Sequence, residues 1–182
     1  MKIEKTKLDG VLIITPDVFP DDRGFFFESY NKKRYDDAGV AYTFVQDNFS
    51  RSTLGTIRGL HFQIGEAAQG KLCQAIVGRV LDVAVDIRRG SPTYGHYVSV
   101  ELTDENHKQI WMPPGFAHGF SVLSDVAIFS YKCTALYSKS DERTILYNDT
   151  DLNIDWKVKS PIVSKKDLKA TEFKNLENYF NY

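Results

Sequence analysis

Cysteine is scarce in this 182-residue sequence: only Cys73 and Cys133 occur. They show no metal-type spacing, and both suit small core positions in a reducing compartment. Excess charge of either sign is also missing. Lys and Arg total 23 against 24 Asp and Glu, a formal net charge of -1. That excludes the broad electropositive footprint of a nucleic-acid-binding protein, so an anionic ligand has to be held by a local cluster of Arg and Lys. No apolar run is long enough to span a bilayer. The charges of MKIEKTKLDG lead into no apolar stretch resembling a secretory leader, so a cytoplasmic setting is expected. There is no low-complexity linker, no evident repeat, and little helix signal.

What is present is a succession of short strands. Leu81, Val83, Val85 and Ile87 alternate with Val80, Asp82, Ala84 and Asp86, and Val98, Val100 and Leu102 alternate with Tyr97, Ser99 and Glu101. Period two is the mark of a strand with two distinct faces. A third run covers Val126 to Tyr137. Turn chemistry separates the runs at Val77-Gly78-Arg79, Arg89-Gly90-Ser91-Pro92, Thr103-Asp104-Glu105-Asn106 and Leu123-Ser124-Asp125. Short strands at such spacing predict an antiparallel sandwich or barrel, in one domain over residues 1–182 that is large enough for a real core. Helix is expected only from Asn31 to Ala38, closed by Gly39, and in the tail after Ser164. The mouth of a small barrel can hold a ligand. The informative residues are therefore polar ones that share a strand face with small or apolar neighbours.

Alternation over Thr56-Ile57-Arg58-Gly59-Leu60-His61-Phe62-Gln63 puts His61 on a face with Ile57, Gly59 and Gln63, and Gly59 would leave open space beside the imidazole. A core histidine with both nitrogens satisfied is the alternative. Lys71 falls on the face of Cys73, Ala75 and Val77, where a buried ammonium needs a partner, unless it sits at the strand's start and reaches solvent. Pro113-Pro114-Gly115 fixes a turn, from which His118 enters a new strand. This Pro-x-Gly-x-x-His pattern resembles the second motif of the cupin barrels. Metal-binding cupins carry His-x-His and a Glu in their first motif. Here that place reads His61-Phe62-Gln63, a poor donor set for a transition metal, so no catalytic metal is expected. A structural His118 bonding a loop carbonyl remains open. Alternation also gathers Phe129, Tyr131, Cys133, Ala135 and Tyr137 on one face, either as barrel interior with the Tyr131 hydroxyl tied off or with that hydroxyl facing a cavity. Ser164-Lys165-Lys166-Asp167 fits a variant capping box, and Asp167 equally suits a His–Asp dyad; spacing does not decide. Arg23 has a planar fork fit for phosphate, or lies with Glu28 on a half-buried edge strand. Gln46-Asp47-Asn48 offers groups that could read a base edge, or is an ordinary polar turn.

Together these stretches resemble one family, the dTDP-4-dehydrorhamnose 3,5-epimerases of the cupin superfamily, from Asp22-Arg23-Gly24 to Ser164-Lys165-Lys166-Asp167. The most specific pieces are Arg58 to Gln63, Pro113 to Phe120 and Tyr131-Lys132-Cys133. The resemblance implies an all-β, cupin-type double-stranded β-helix or jelly-roll barrel with a few short peripheral helices. It implies His61 as proton acceptor, Asp167 as its dyad partner, Tyr131 as proton donor and Lys71 beside the sugar's keto oxygen. It implies Arg23, Glu28, Gln46, Asp47, Asn48, Arg58, His118, Glu142 and Lys166 as ligand contacts, and Tyr137 as the ring that stacks on thymine. A homodimer with crossed N-terminal strands is implied, in which Arg23 and Glu28 serve the partner's site.

The expected reaction is inversion at carbons 3 and 5 of dTDP-4-dehydro-6-deoxy-D-glucose to give dTDP-4-dehydro-L-rhamnose, for cell-surface polysaccharide biosynthesis. No cofactor is expected, because the substrate's own carbonyl is the electron sink. The residue types suit that chemistry by themselves: an imidazole to take a proton near neutral pH, a cation for the enolate oxygen, and a separate acid for the opposite face. Rival readings are a single-carbon epimerase on the same barrel, one acting on another nucleotide sugar, a non-catalytic sugar-binding cupin, and a metal cupin oxygenase.

Overall fold

Alternating β-branched and aromatic residues dominate the chain, and in a computed structural model describing every residue from Met1 to Tyr182 they form fourteen strands. In chain order these are β1 (Lys2–Lys5), β2 (Leu12–Thr15), β3 (Val18–Asp21), β4 (Gly24–Phe27), β5 (Gln46–Thr53), β6 (Thr56–Gln63) and β7 (Lys71–Val77). There follow β8 (Arg79–Asp86), β9 (Tyr97–Thr103), β10 (Gln109–Met112), β11 (Phe116–Val122), β12 (Val126–Cys133), β13 (Glu142–Thr144) and β14 (Ile162–Val163). One sheet has the order β1-β2-β10-β7-β12-β5, the other β13-β6-β11-β8-β9, with β14 added in parallel to β6. Cys73 and Ala75 of β7, Val80 and Ala84 of β8, Phe120 and Val122 of β11 and Phe129 of β12 interlock in one core. The two sheets are therefore stacked face to face, as a cupin-type jelly roll. Each large core side chain matters: truncating the fully buried Phe129 to alanine would cost about 3–5 kcal/mol.

The outer faces are covered as well. Leu81, Val83 and Val85 of β8 pack against Trp156, Phe173 and Leu176 from the C-terminal segment. The alternation of β8 therefore separates two interiors, not core from solvent, and Asp82 and Asp86 are completely buried. A single helix, α1 (Lys32–Asp37), lies over the other sheet through Tyr35, which packs with Ile14 and Trp111. Asn31 caps it by accepting the Arg34 N–H at 3.2 Å, and Gly39 ends it at φ +94°. No helix is long and apolar enough to cross a membrane. The tail after Ser164 is not a helix. It makes only two 3₁₀ turns, Asp167–Lys169 and Phe173–Asn175, because its backbone is drawn into pairing with the barrel: Leu146 N–H donates to Thr171 O at 3.0 Å.

Two details of strand geometry differ from simple alternation, and both shape the cavity. First, β6 and β11 pair as His61 with His118, Arg58 with Phe120 and Ile57 with Ser121. Three steps of β6 thus span two of β11, a bulge that turns His61 and Arg58 to the same interior face and leaves Ile57 in the outer core. Gly59 makes this possible: its φ is +139°, and a Cβ there would stand 2.5 Å from the Gly119 Cα. Gly59 serves close strand approach and leaves no opening beside the imidazole. Second, β12 stops at Cys133. Thr134 turns aside, its N–H donating to Gly70 O at 3.0 Å and its hydroxyl accepting the Gly70 N–H at 2.8 Å. Ala135 and Tyr137 therefore leave the face that Phe129, Tyr131 and Cys133 share.

Candidate active site

Parallel pairing of β14 with β6, Ile162 to Thr56 and Val163 to Ile57, carries the following turn alongside His61. In that turn the Ser164 hydroxyl accepts the Asp167 N–H at 3.1 Å, so the capping half of the Ser-x-x-Asp pattern is realised. The Asp167 carboxylate goes elsewhere: its Oδ1 lies 2.7 Å from His61 Nε2, and the residue is 2 % exposed. Burial by itself would raise the Asp167 pKa. The hydrogen bond and charge of His61, with the Ser164 hydroxyl and the Gly59 N–H, outweigh it and hold the carboxyl below its usual range. An ionised carboxylate only accepts, so Nε2 carries the proton and Nδ1 is the basic nitrogen.

A second pair lies next to the first. His118 Nε2 is 2.9 Å from Asp82 Oδ2, and both residues are buried. Burial pushes His118 below the usual imidazole range, more than Asp82 raises it, so this ring is neutral at neutral pH. Cys73 Sγ, an Asp82 oxygen and a His118 nitrogen lie within 4.8 Å of one another. This set suits a metal poorly: Nε2 is already committed to the carboxylate, and burial raises the Cys73 thiol well above its ordinary value, against the thiolate a metal requires. Lys71, at the head of β7, is buried, makes no salt bridge, and holds its ammonium 5.9 Å from the centre of the Tyr131 ring. Tyr131 stands on β12, in the opposite sheet from His61. Burial, chiefly, pushes its phenol up to about 12.

These groups border a common space. An inner cavity of about 220 Å³ is lined by Ser50, Arg58, His61, Lys71, His118, Phe120 and Tyr131. A smaller one of about 90 Å³ continues past His61, Lys71 and Tyr131 to Gln46, Asn48, Gln63, Gln69, Tyr137 and Glu142. A third, of about 460 Å³, opens on the other side of His61 between Arg51, Arg58, Lys166 and Asp167. At the rim the Tyr137 hydroxyl donates to Glu142 Oε2 at 2.9 Å, and Lys166 forms an ion pair with the same carboxylate.

Thus His61, Asp167, Lys71, Tyr131, Gln46, Asn48, Arg58, His118, Tyr137, Glu142 and Lys166 line three adjoining cavities that all border His61. Three expected contacts do not. Asp47 pairs with Lys132 at 3.0 Å on the opposite face of β5 and β12. Arg23 sits at the tip of the β3–β4 hairpin, paired with Asp21, and Glu28 bonds Arg34 at 3.2 Å. Asp82, Gln63 and Gln69 also border or support the site, although motif and alternation assign them no role there. Asp82 had a signal, since an acid sharing an apolar strand face with Val80 and Ala84 needs a buried partner.

The chain as a whole is similar to known proteins. A family model described as dTDP-4-dehydrorhamnose 3,5-epimerase matches residues 5–175. The dTDP-4-dehydrorhamnose 3,5-epimerase of Shigella flexneri is 53% identical over 174 residues, covering 95% of this chain and 96% of that protein. Among solved structures, dTDP-6-deoxy-D-glucose-3,5-epimerase from Legionella pneumophila Philadelphia 1, in complex with dTDP-4-keto-L-rhamnose, superposes with a TM-score of 0.96 at 47% identity, over 100% of this chain and 98% of that one. The Bacillus anthracis str. Ames dTDP-4-dehydrorhamnose 3,5-epimerase, with TDP and PPi bound, gives a TM-score of 0.92 at 45% identity, over 94% and 98%.

Proposed function

The chain belongs to the dTDP-4-dehydrorhamnose 3,5-epimerase family and is an isomerase, and from that premise we propose that it inverts carbons 3 and 5 of dTDP-4-dehydro-6-deoxy-D-glucose with His61 as base and Tyr131 as acid. The observation that carries the residue assignment is the meeting of a His61–Asp167 dyad, an unpaired Lys71 ammonium and a protonated Tyr131 around one cavity, with base and acid on opposite sheets.

The 4-keto group acidifies the hydrogens on both flanking carbons. His61 Nδ1 takes one of these protons; the C–H bond breaks and its electron pair moves into an enolate. Asp167 holds the tautomer in which Nδ1 is free and stabilises the imidazolium that forms. Lys71 stabilises the enolate oxygen, an effect worth about 10²–10³ in rate, and general-base transfer adds about 10²–10⁴. The Tyr131 hydroxyl then delivers its proton to the other face of the carbon, and both groups re-equilibrate with water. Repetition at the second carbon gives dTDP-4-dehydro-L-rhamnose, for dTDP-L-rhamnose biosynthesis. The carbonyl is the only electron sink this requires.

The remaining residues are read as binding groups: Arg58, Lys166 and His118 with Gln46, Asn48 and Glu142 around the ligand, and Tyr137 against the base. Arg23 and Glu28 lie outside this cavity, which supports a homodimer whose exchanged N-terminal strands bring them to the partner's site, whereas Asp47, held by Lys132 on the outer face of β5, is left out of the ligand contacts. A cytoplasmic, single-domain enzyme is the setting that fits. Turnover in deuterated water, followed by NMR, tests the reaction: deuterium at both flanking carbons of the product is expected, and deuterium at one carbon alone would reassign the enzyme as a single-carbon epimerase.

A further inference from the structure

After β12 ends at Cys133, the chain from Thr134 to Ser138 runs beside the mouth of the cavity without joining a strand ladder. Its side chains give it little packing, since Leu136 and Tyr137 are 67 % and 52 % exposed. Three glutamines from three separate places in the chain hold its backbone instead. Gln69 Nε2 donates to Ala135 O at 2.8 Å, Gln46 Oε1 accepts the Tyr137 N–H at 2.9 Å, and Gln63 Oε1 accepts the Ser138 N–H at 2.8 Å. All three line the same small cavity as His61, Lys71 and Tyr131.

We infer that these glutamines form a clamp that presets the Tyr137 ring for the base of the nucleotide, and that Gln63 and Gln69 are positioning residues that govern affinity for the base without taking part in the chemical step. The inference rests on the reading of Tyr137 as the base platform. A loop left free would have to be ordered each time ligand binds, and that ordering cost is subtracted from affinity; bonds that order it beforehand remove the cost. Gln63 stands where metal-binding cupins present a ligand, and its oxygen is spent on the Ser138 N–H. An amide also suits the place better than a carboxylate, because Glu142 sits directly opposite in the β6–β13 pair and like charges there repel.

The test uses Gln63→Met, Gln69→Met and the double variant, which keep an unbranched side chain and remove the bonds. Binding of dTDP and of inorganic pyrophosphate is measured by calorimetry alongside steady-state turnover, with Tyr137→Ala as reference. The expected result is dTDP binding weaker by roughly 3-fold in each single variant and about 10-fold in the double. KM should rise in parallel, kcat at saturation should stay within about two-fold, and pyrophosphate binding should be unchanged. If Gln63→Met does not fold, Gln69→Met, whose side chain is only partly buried, carries the test alone. Unchanged dTDP binding in the glutamine variants, with loss in Tyr137→Ala, overturns the clamp alone. Equal weakening of dTDP and pyrophosphate also overturns it, as general damage to the pocket. Unchanged dTDP binding in Tyr137→Ala overturns the platform reading and the clamp with it.

Discussion

His61 can act as a base only while Asp167 holds the proton on Nε2, so the two residues fail differently. His61→Ala removes the proton acceptor, and kcat should fall by about 10²–10⁴ or more with fold and dTDP binding retained; turnover near the parent rate would end the mechanism. Asp167→Asn leaves the imidazole but loses the carboxylate. Asp167 is held below its usual range, so its contribution to stability is complete above the unfolded value of about 3.9 and is lost as pH falls through the lower folded value. The melting temperature of the parent should therefore drop more steeply between about pH 5 and 3 than that of Asp167→Asn; parallel curves would show that the pair adds nothing to folding. Tyr131 has the opposite requirement. With its phenol pushed up to about 12, it keeps its proton at any working pH and can donate but not abstract. Tyr131→Phe should still exchange substrate protons with solvent deuterium while yielding little inverted product. NMR follows the two separately, and an equal fall in exchange and inversion would return Tyr131 to a structural role.

At the scale of the element, the site depends on where strands depart from regularity. The β6 bulge brings His61 and Arg58 onto one face, and its tight point is Gly59 against Gly119. Gly59→Ala would set a Cβ 2.5 Å from the Gly119 Cα at φ +139°. A loss of about 2–4 kcal/mol is expected in urea denaturation, with a fall in kcat because His61 moves with the strand. An unchanged midpoint would mean the two strands can separate at no cost. The end of β12 is equally consequential: had the strand continued to Tyr137, that ring would face the barrel core and could not reach Glu142 at the rim. Neither event follows from alternation, which assumes that each residue advances the strand by one regular step.

At the scale of the whole molecule, the β3–β4 hairpin stands out. Phe19, Phe25 and Phe26 are largely exposed on it, and Arg23 lies at its tip. Such apolar exposure fits a covered interface. If Arg23 of one protomer serves its partner's cavity, inactive Arg23→Ala and His61→Ala chains should rescue each other when mixed and reassembled. Each mixed dimer then contains one site with both groups intact, and activity should recover to about a quarter of the parent value for random two-fold assembly. No recovery in a mixture shown by mass spectrometry to contain mixed dimers would place Arg23 in its own chain's site or outside any site.

The amino-acid sequence is enough to read the strand-rich architecture, the helix capped at Asn31, the turn before His118 and the residue types of the chemistry, because period, turn chemistry and motif are local properties of the chain. It could not determine which groups meet. His61 and Asp167 are 106 residues apart and are joined by the parallel pairing of β14 with β6. Asp82 finds His118, and three glutamines find one loop, only because two sheets stack with a particular register. The 3₁₀ turns of the tail likewise reflect barrel pairing that won over helical capping signals. These decisions belong to the tertiary structure because each is a contest between a local preference and long-range pairing, and the outcome depends on partners that are distant in sequence.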